Sequence, residues 1–95
     1  MTLRQIEVFS KVAKLKSFTE AGEDLDVSRS SISVVISALE RQLKTKLFER
    51  LGNKVQLTDA GEELLNAAQE ILRRTESIKA KMAEAAGSKK NRNDL

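Results

Sequence analysis

Apolar residues recur at three- and four-residue spacing along most of the chain, which is the pattern of amphipathic helices. The first such stretch carries Leu3, Ile6, Phe9, Val12, Ala13 and Leu15. A short second helix is predicted from about Phe18 to Leu25, where Ser17 and Glu20 have the form of a capping box. A third helix begins behind Ser28 and carries Ile32, Val35, Ile36, Leu39 and Leu43.

The second and third predicted helices follow each other within three residues, which is too short a link for an antiparallel pair. We therefore expect them to cross, as in a helix-turn-helix. The small residues Ala21 and Gly22 stand where the two helices approach most closely, and Val27 fills the turn between them. A bulky residue at Gly22 would force the helices apart.

A hairpin and a long helix follow. Residues 47–51 and 54–58 alternate between apolar and polar and are joined by Gly52-Asn53, which predicts a small β-hairpin, or wing. Thr58 then caps a fourth helix over residues 59–86. Its apolar residues form a heptad-like seam that is too long for the preceding small domain to cover. We therefore expect this seam to pair two copies of the chain, through Leu64, Leu65, Ala68, Ile71, Leu72, Thr75, Ile78 and Met82.

The predicted fold is therefore mainly α: a winged helix-turn-helix of three helices and a small hairpin, followed by a long dimerisation helix. The winged helix-turn-helix domain is predicted to cover residues 1–58 and the linker helix residues 59–86. The polar tail, 87–95, is predicted to be disordered behind a helix-stopping Gly87.

Composition narrows the function. The 95 residues include no Cys and no His, so we expect no metal, no cofactor and no catalytic site, and hence no enzyme. No apolar run is long enough for a membrane span and no signal peptide is apparent, which makes the bacterial cytoplasm the expected location. The net charge of +3 arises before Asp59, in a segment with ten basic and seven acidic residues. A positive excess in this segment is what electrostatic attraction to phosphate requires.

With its apolar positions buried, the third helix presents one face to a DNA major groove. That face predicts base contacts by Arg29, Ser30, Ser33, Val34 and Ser37. Phosphate contacts are predicted at the helix ends and on the wing, from Thr19, Ser28, Ser31, Arg50 and Lys54.

The chain resembles the N-terminal region of the LysR-type transcriptional regulators over about its first sixty residues. The resemblance is carried by Leu3-Arg4-Gln5-Ile6, Phe9, Ser17-Phe18-Thr19, Ala21, Leu25, Val27-Ser28, Ser33, Leu39-Glu40, Leu43, Leu47-Phe48-Glu49-Arg50, Leu57-Thr58 and Ala60-Gly61. It implies a winged helix-turn-helix that dimerises through the linker helix, and whether dimers pair into tetramers in a full-length protein stays open. It also implies a larger ligand-sensing domain, which nothing in this chain encodes, so a truncated chain and a natural stand-alone unit both stay open.

Several residues depart from the pattern of that family. Arg29 stands where the family often has Gln, Ser30 where Pro or another residue occurs, and Val34 where Arg is frequent. Val34 removes a bidentate reader of guanine and offers a methyl contact to thymine, so the target sequence should differ. Gly22 replaces a usual Ala, and Lys44 stands where a Gly often ends the third helix.

The leading hypothesis is sequence-specific binding of double-stranded DNA by a homodimer that regulates transcription. The alternative is a coiled-coil protein-interaction module in which the seam meets another protein and the folded head is only a cap. Single-stranded nucleic acid is disfavoured because the three aromatic residues, Phe9, Phe18 and Phe48, all lie at apolar-periodic positions.

Overall fold

The computed structural model describes the backbone of residues 1–93 and the side chains of residues 1–87. The secondary-structure elements are α1 (Leu3–Leu15), α2 (Phe18–Leu25), α3 (Arg29–Leu43), β1 (Phe48–Leu51), β2 (Lys54–Leu57) and α4 (Asp59–Asn93). The mainly helical winged helix-turn-helix predicted from the sequence is confirmed. Within the described residues, no helix is both long enough and apolar enough to cross a membrane.

Serine and threonine hydroxyls fix where the helices begin. The Ser17 side chain accepts a hydrogen bond from the Glu20 backbone N–H at 3.1 Å, so Ser17 is the N-cap of α2 as predicted. The reciprocal half of that capping box is not formed, because the Glu20 carboxylate instead pairs with Lys54 on the wing at 3.0 Å. A complete capping box forms at α1, between Thr2 and Gln5.

Each of the first three helices ends at a residue with left-handed backbone geometry that is not glycine. Lys16, Asp26 and Lys44 have φ of 56°, 58° and 55°. Lys44 is the residue that stands where a Gly often ends the third helix, and glycine adopts this geometry without strain. Left-handed geometry costs an L-residue about 1 kcal/mol, a small local penalty at each helix end.

The core lies where α1 and α3 meet the start of the wing. The largest side chains that are fully buried are Phe9, Ile32, Leu39, Leu47, Val8 and Val12. Three phenylalanines pack against one another in this core. The ring centroids of Phe9 and Phe48 are 5.3 Å apart, and the ring of Phe18 meets that of Phe48 edge-on at 6.2 Å between centroids. Aromatic contacts therefore join α1, α2 and β1.

Gly22 allows α2 and α3 to cross closely. A Cβ atom at this position would lie 2.7 Å from the Val27 carbonyl oxygen, which is closer than such atoms approach in proteins. The turn is fixed by a hydrogen bond of 2.9 Å from the Val27 N–H to the Gly22 carbonyl. The expected tight crossing at Gly22 is confirmed.

The wing is a two-stranded antiparallel hairpin that turns at Gly52, where φ is 65°. The backbone N–H of Val55 donates to the Lys16 carbonyl at 3.1 Å, so β2 is tied to the corner between α1 and α2. At its far end the Thr58 N–H donates to the Leu47 carbonyl at 3.0 Å, and the Thr58 hydroxyl accepts from the Gly61 N–H to cap α4. The wing is thus held at both ends.

The predicted seam of α4 divides between two environments. Ala68 is fully buried, with 0% of its surface exposed, in the core of its own chain, and Leu64, Leu65 and Leu72 pack against that core. Ala68 therefore cannot contact a second copy, which corrects its place in the predicted dimer set. Thr75 is half-buried. Exposed apolar surface remains at Ile71, Ile78 and Met82, of which 37%, 57% and 60% is accessible.

The long helix also continues past its predicted end at Ala86 and runs through Gly87 to Asn93. A glycine inside a helix costs about 1 kcal/mol relative to alanine, which the helix-forming neighbours Ala85 and Ala86 offset. The predicted disorder of residues 94 and 95 lies outside the described residues.

Candidate nucleic-acid interface

Helix α3 has an apolar side that is buried and a polar side that is exposed. Its buried residues are Ile32, Ile36 and Leu39. The predicted base-contact positions Arg29, Ser30, Val34 and Ser37 are exposed, whereas Ser33 is half-buried. Val34 has 68% of its surface exposed, so its methyl groups are accessible to a partner. The five side chains can therefore meet a base edge with hydroxyl, guanidinium and methyl groups.

The start of α3 is organised by two serines. The Ser28 hydroxyl accepts from the Ser31 N–H at 3.0 Å and lies 2.9 Å from the Ser31 hydroxyl. Of these two predicted phosphate contacts, Ser28 is therefore also the N-cap of α3. Thr19, at the start of α2, is exposed. The first turn of a helix carries a partial positive charge, which favours a phosphate near it.

The wing brings two further cations toward α3. Arg50 and Lys54, two of the predicted phosphate contacts, are both exposed. The Lys54 ammonium forms its ion pair with Glu20, while the Cζ atoms of Arg50 and Arg29 lie 5.4 and 5.8 Å from the centre of the Phe18 ring. The structure therefore brings Arg29 and Arg50 together at one aromatic side chain, although they are far apart in the sequence.

A cleft of about 370 Å³ lies between α3 and the wing. Among its lining residues are the predicted contacts Ser33, Ser37 and Arg50. Lys46 also lines this cleft, although no role was predicted for it from the sequence. The signal for it in the sequence is its position two residues before β1, at the entry of the wing.

Glu40 is a second residue for which no role was predicted from the sequence. Its carboxylate accepts hydrogen bonds from the backbone N–H groups of Leu47 and Phe48, at 2.7 and 3.4 Å, and lies 3.8 Å from the Lys46 ammonium. The side chain is only 15% exposed. A buried carboxylate that accepts backbone donors is strongly held, so Glu40 fixes the entry of the wing relative to α3.

The side chains of this surface can bind a nucleic acid through polar, charged and apolar contacts. Within the described part of the chain, no group of three acidic side chains stands close enough to hold a metal ion. The surface combines hydroxyls, an exposed methyl-bearing side chain and cations, which are the groups that contact bases and phosphates.

Comparison with curated proteins places the chain among bacterial regulators. Residues 3–62 match the family described as bacterial regulatory helix-turn-helix protein, lysR family. An uncharacterized HTH-type transcriptional regulator of Azotobacter vinelandii is 47% identical over 72 residues, which cover 76% of this chain and 50% of that protein. The HTH-type transcriptional activator CmpR of Synechocystis is 34% identical over 89 residues, covering 94% of this chain and 29% of CmpR. The chain thus spans half or less of the length of these relatives.

Solved structures agree with this placement and include DNA complexes. The chain is similar to the CbnR DNA-binding domain in its complex with DNA, with a TM-score of 0.82 at 32% identity, over 90% of this chain and 99% of that one. It is also similar to the BenM DNA-binding domain bound to catB site 1 DNA, with a TM-score of 0.86 at 28% identity, over 90% and 96%. The chain belongs to the LysR family of bacterial transcriptional regulators and carries the DNA-binding helix-turn-helix domain of that family.

Proposed function

We propose that this chain binds specific sequences of double-stranded DNA as a homodimer and so regulates transcription. The observation that carries the proposal is the exposed surface of α3, on which Arg29, Val34 and Ser37 are accessible beside a cationic wing. The residues of α3 that are buried are all apolar. An α-helix fits the major groove, and this face supplies the groups that distinguish base pairs.

The exposed stripe of α4 supports the dimer. Ile71, Ile78 and Met82 are separated by seven and four residues, so they lie on one side of the helix. Apolar side chains in such a row favour pairing with a second helix of the same kind. A two-fold dimer would present two α3 helices about one DNA turn apart and would read a palindromic pair of half-sites.

Selection of bound sites from a pool of random duplexes tests the whole proposal. We expect a palindrome with two equal half-sites, bound with an affinity that falls as salt concentration rises. Equal affinity for every duplex would contradict sequence-specific binding. A single, non-repeated site would contradict the homodimer and leave the exposed stripe to a different protein.

Arg29→Ala should weaken binding to the selected site by about 1 to 3 kcal/mol, because a guanidinium that meets two acceptors of guanine is lost. The same change should alter affinity for unrelated duplexes far less, so discrimination between sequences falls. Competition titrations with specific and unrelated duplexes measure both effects. An equal loss on both kinds of duplex would show that Arg29 contacts only the backbone.

Lys54→Ala should weaken all duplexes alike and lower the slope of log affinity against log salt by about one, since one phosphate contact is removed. The matched control is Lys79→Ala, because Lys79 also pairs with a glutamate, Glu76 at 3.5 Å, but lies on α4 away from the wing. Salt titrations of both variants give the slopes. If the Lys79→Ala variant lost as much slope as the Lys54→Ala variant, the wing would have no special role in phosphate contact.

A further inference from the structure

Phe18, the first residue of α2, stands beneath two guanidinium groups from different elements. The Arg29 Cζ atom, at the start of α3, lies 5.8 Å from the centre of the ring, and the Arg50 Cζ atom, on β1, lies 5.4 Å from it. Both distances are within the range in which a guanidinium is attracted to the face of an aromatic ring. Phe18 is thus a shared contact of the recognition helix and the wing.

The Phe18 ring is itself held in place. Only 7% of the residue is exposed, and the ring meets Phe48 edge-on at 6.2 Å, while Phe48 packs on Phe9 at 5.3 Å. The Ser17 cap fixes the backbone immediately before it. Because the ring is anchored in the core, it is a fixed platform on which two exposed side chains rest.

Two cations beside one ring repel each other, since both carry a full positive charge. The ring attracts each guanidinium, and an anion such as a DNA phosphate nearby would relieve the remaining repulsion. Arginines that rest on a fixed surface also lose less rotational freedom when they bind, which favours binding to a partner of opposite charge. The arrangement therefore suits an anionic partner.

We propose that Phe18 is the positioning residue that orients Arg29 for base reading and Arg50 for backbone contact, and so couples α3 to the wing during DNA recognition. The inference rests on the proposed function. It differs from a purely structural role, in which Phe18 would only fill the core and the two arginines would act independently.

A double-mutant cycle on DNA affinity separates these roles. Phe18→Leu keeps an apolar side chain but removes the aromatic face, and it should reduce affinity for the selected site about five- to tenfold. Combined with both Arg29→Ala and Arg50→Ala, its further effect should fall to about twofold or less, because both contacts with the ring are already gone. Additive losses in the cycle would overturn the inference, as would a folded Phe18→Leu variant of unchanged affinity.

A second cycle keeps the core intact. Arg29→Lys and Arg50→Lys retain both charges but lose the planar groups that stack on the ring. We expect the two changes to be non-additive by at least about threefold in affinity, since both arginines depend on one platform. Additive effects would overturn the inference even if Phe18→Leu did not fold. A wild-type chain that bound no duplex would instead contradict the proposed function itself.

Discussion

Ile78→Asp should convert the proposed dimer into a monomer. Ile78 has 57% of its surface exposed in the single chain, so a second copy is needed to remove it from water. In a two-fold dimer the change occurs twice and places two carboxylates in an apolar seam. The expected cost is about 3 kcal/mol or more, which raises the dimer dissociation constant at least about a hundredfold. Sedimentation equilibrium measures the mass directly.

Ser77→Asp is the matched control for this change. Ser77 is the preceding residue of the same helix and is also exposed, but it points to a different side, about 100° around the axis. It should leave the dimer intact. An unchanged mass for the Ile78→Asp variant would contradict pairing through the stripe, and a wild-type chain that is monomeric at all concentrations would favour the interaction-module alternative.

Gly61→Ala should lower the free energy of unfolding by about 3 kcal/mol, the upper end of the usual cost of overpacking. A Cβ atom at Gly61 would collide with the Leu47 carbonyl oxygen and approach a methyl group of Leu57 to 2.8 Å. The first partner is backbone and accepts the Thr58 N–H, so it cannot move without breaking that hydrogen bond. Urea denaturation at a fixed protein concentration measures the loss as a lower midpoint.

Gly87→Ala makes the identical chemical change in open space. Apart from the backbone of its own helix and its chain neighbours, no heavy atom of the described residues lies within 4 Å of a Cβ at that position, and the residue is helical. Alanine there should stabilise the helix by up to about 1 kcal/mol. If the Gly61→Ala and Gly87→Ala variants unfolded at the same urea concentration, the close approach between α4 and Leu47 would not exist in solution.

Local rules predicted most of the fold. Ser17 and Ser28 are the N-caps of α2 and α3 because a hydroxyl satisfies a backbone donor only three residues away. Gly52 turns the hairpin because it accepts a positive φ, and Gly22 permits the helix crossing because it has no Cβ. Each of these features depends on neighbours within a few residues, and the sequence displays those directly.

Contacts between distant residues were not predictable in this way. Glu20 has the spacing of a capping-box partner for Ser17, yet its carboxylate pairs with Lys54, which is 34 residues away. Glu40 binds the entry of the wing from the last turns of α3. When a polar side chain has two possible partners, the tertiary structure determines which one it contacts. The spacing of residues along the chain does not predict that contact.

The division of the α4 seam has a similar cause. Periodicity identifies apolar positions, but it does not say which surface each one meets. Ala68 and Ile71 lie three residues apart on the same broad stripe, and one is buried within its own chain while the other is exposed. The core in which Ala68 is buried is built from other parts of the chain, so the sequence of α4 alone could not separate the two groups.

The packing of Ala68 and Leu72 against the winged helix-turn-helix domain fixes the orientation of the far half of α4. The helix is continuous from these anchored residues to the stripe at Ile78 and Met82, so the direction of that stripe relative to Arg29 is set within one chain. Insertion of a single residue between them would swing the stripe by about 100° and advance it by about 1.5 Å. In the proposed dimer, the angle between the two winged helix-turn-helix domains would therefore be set by the number of residues in this helix, because no loop interrupts it.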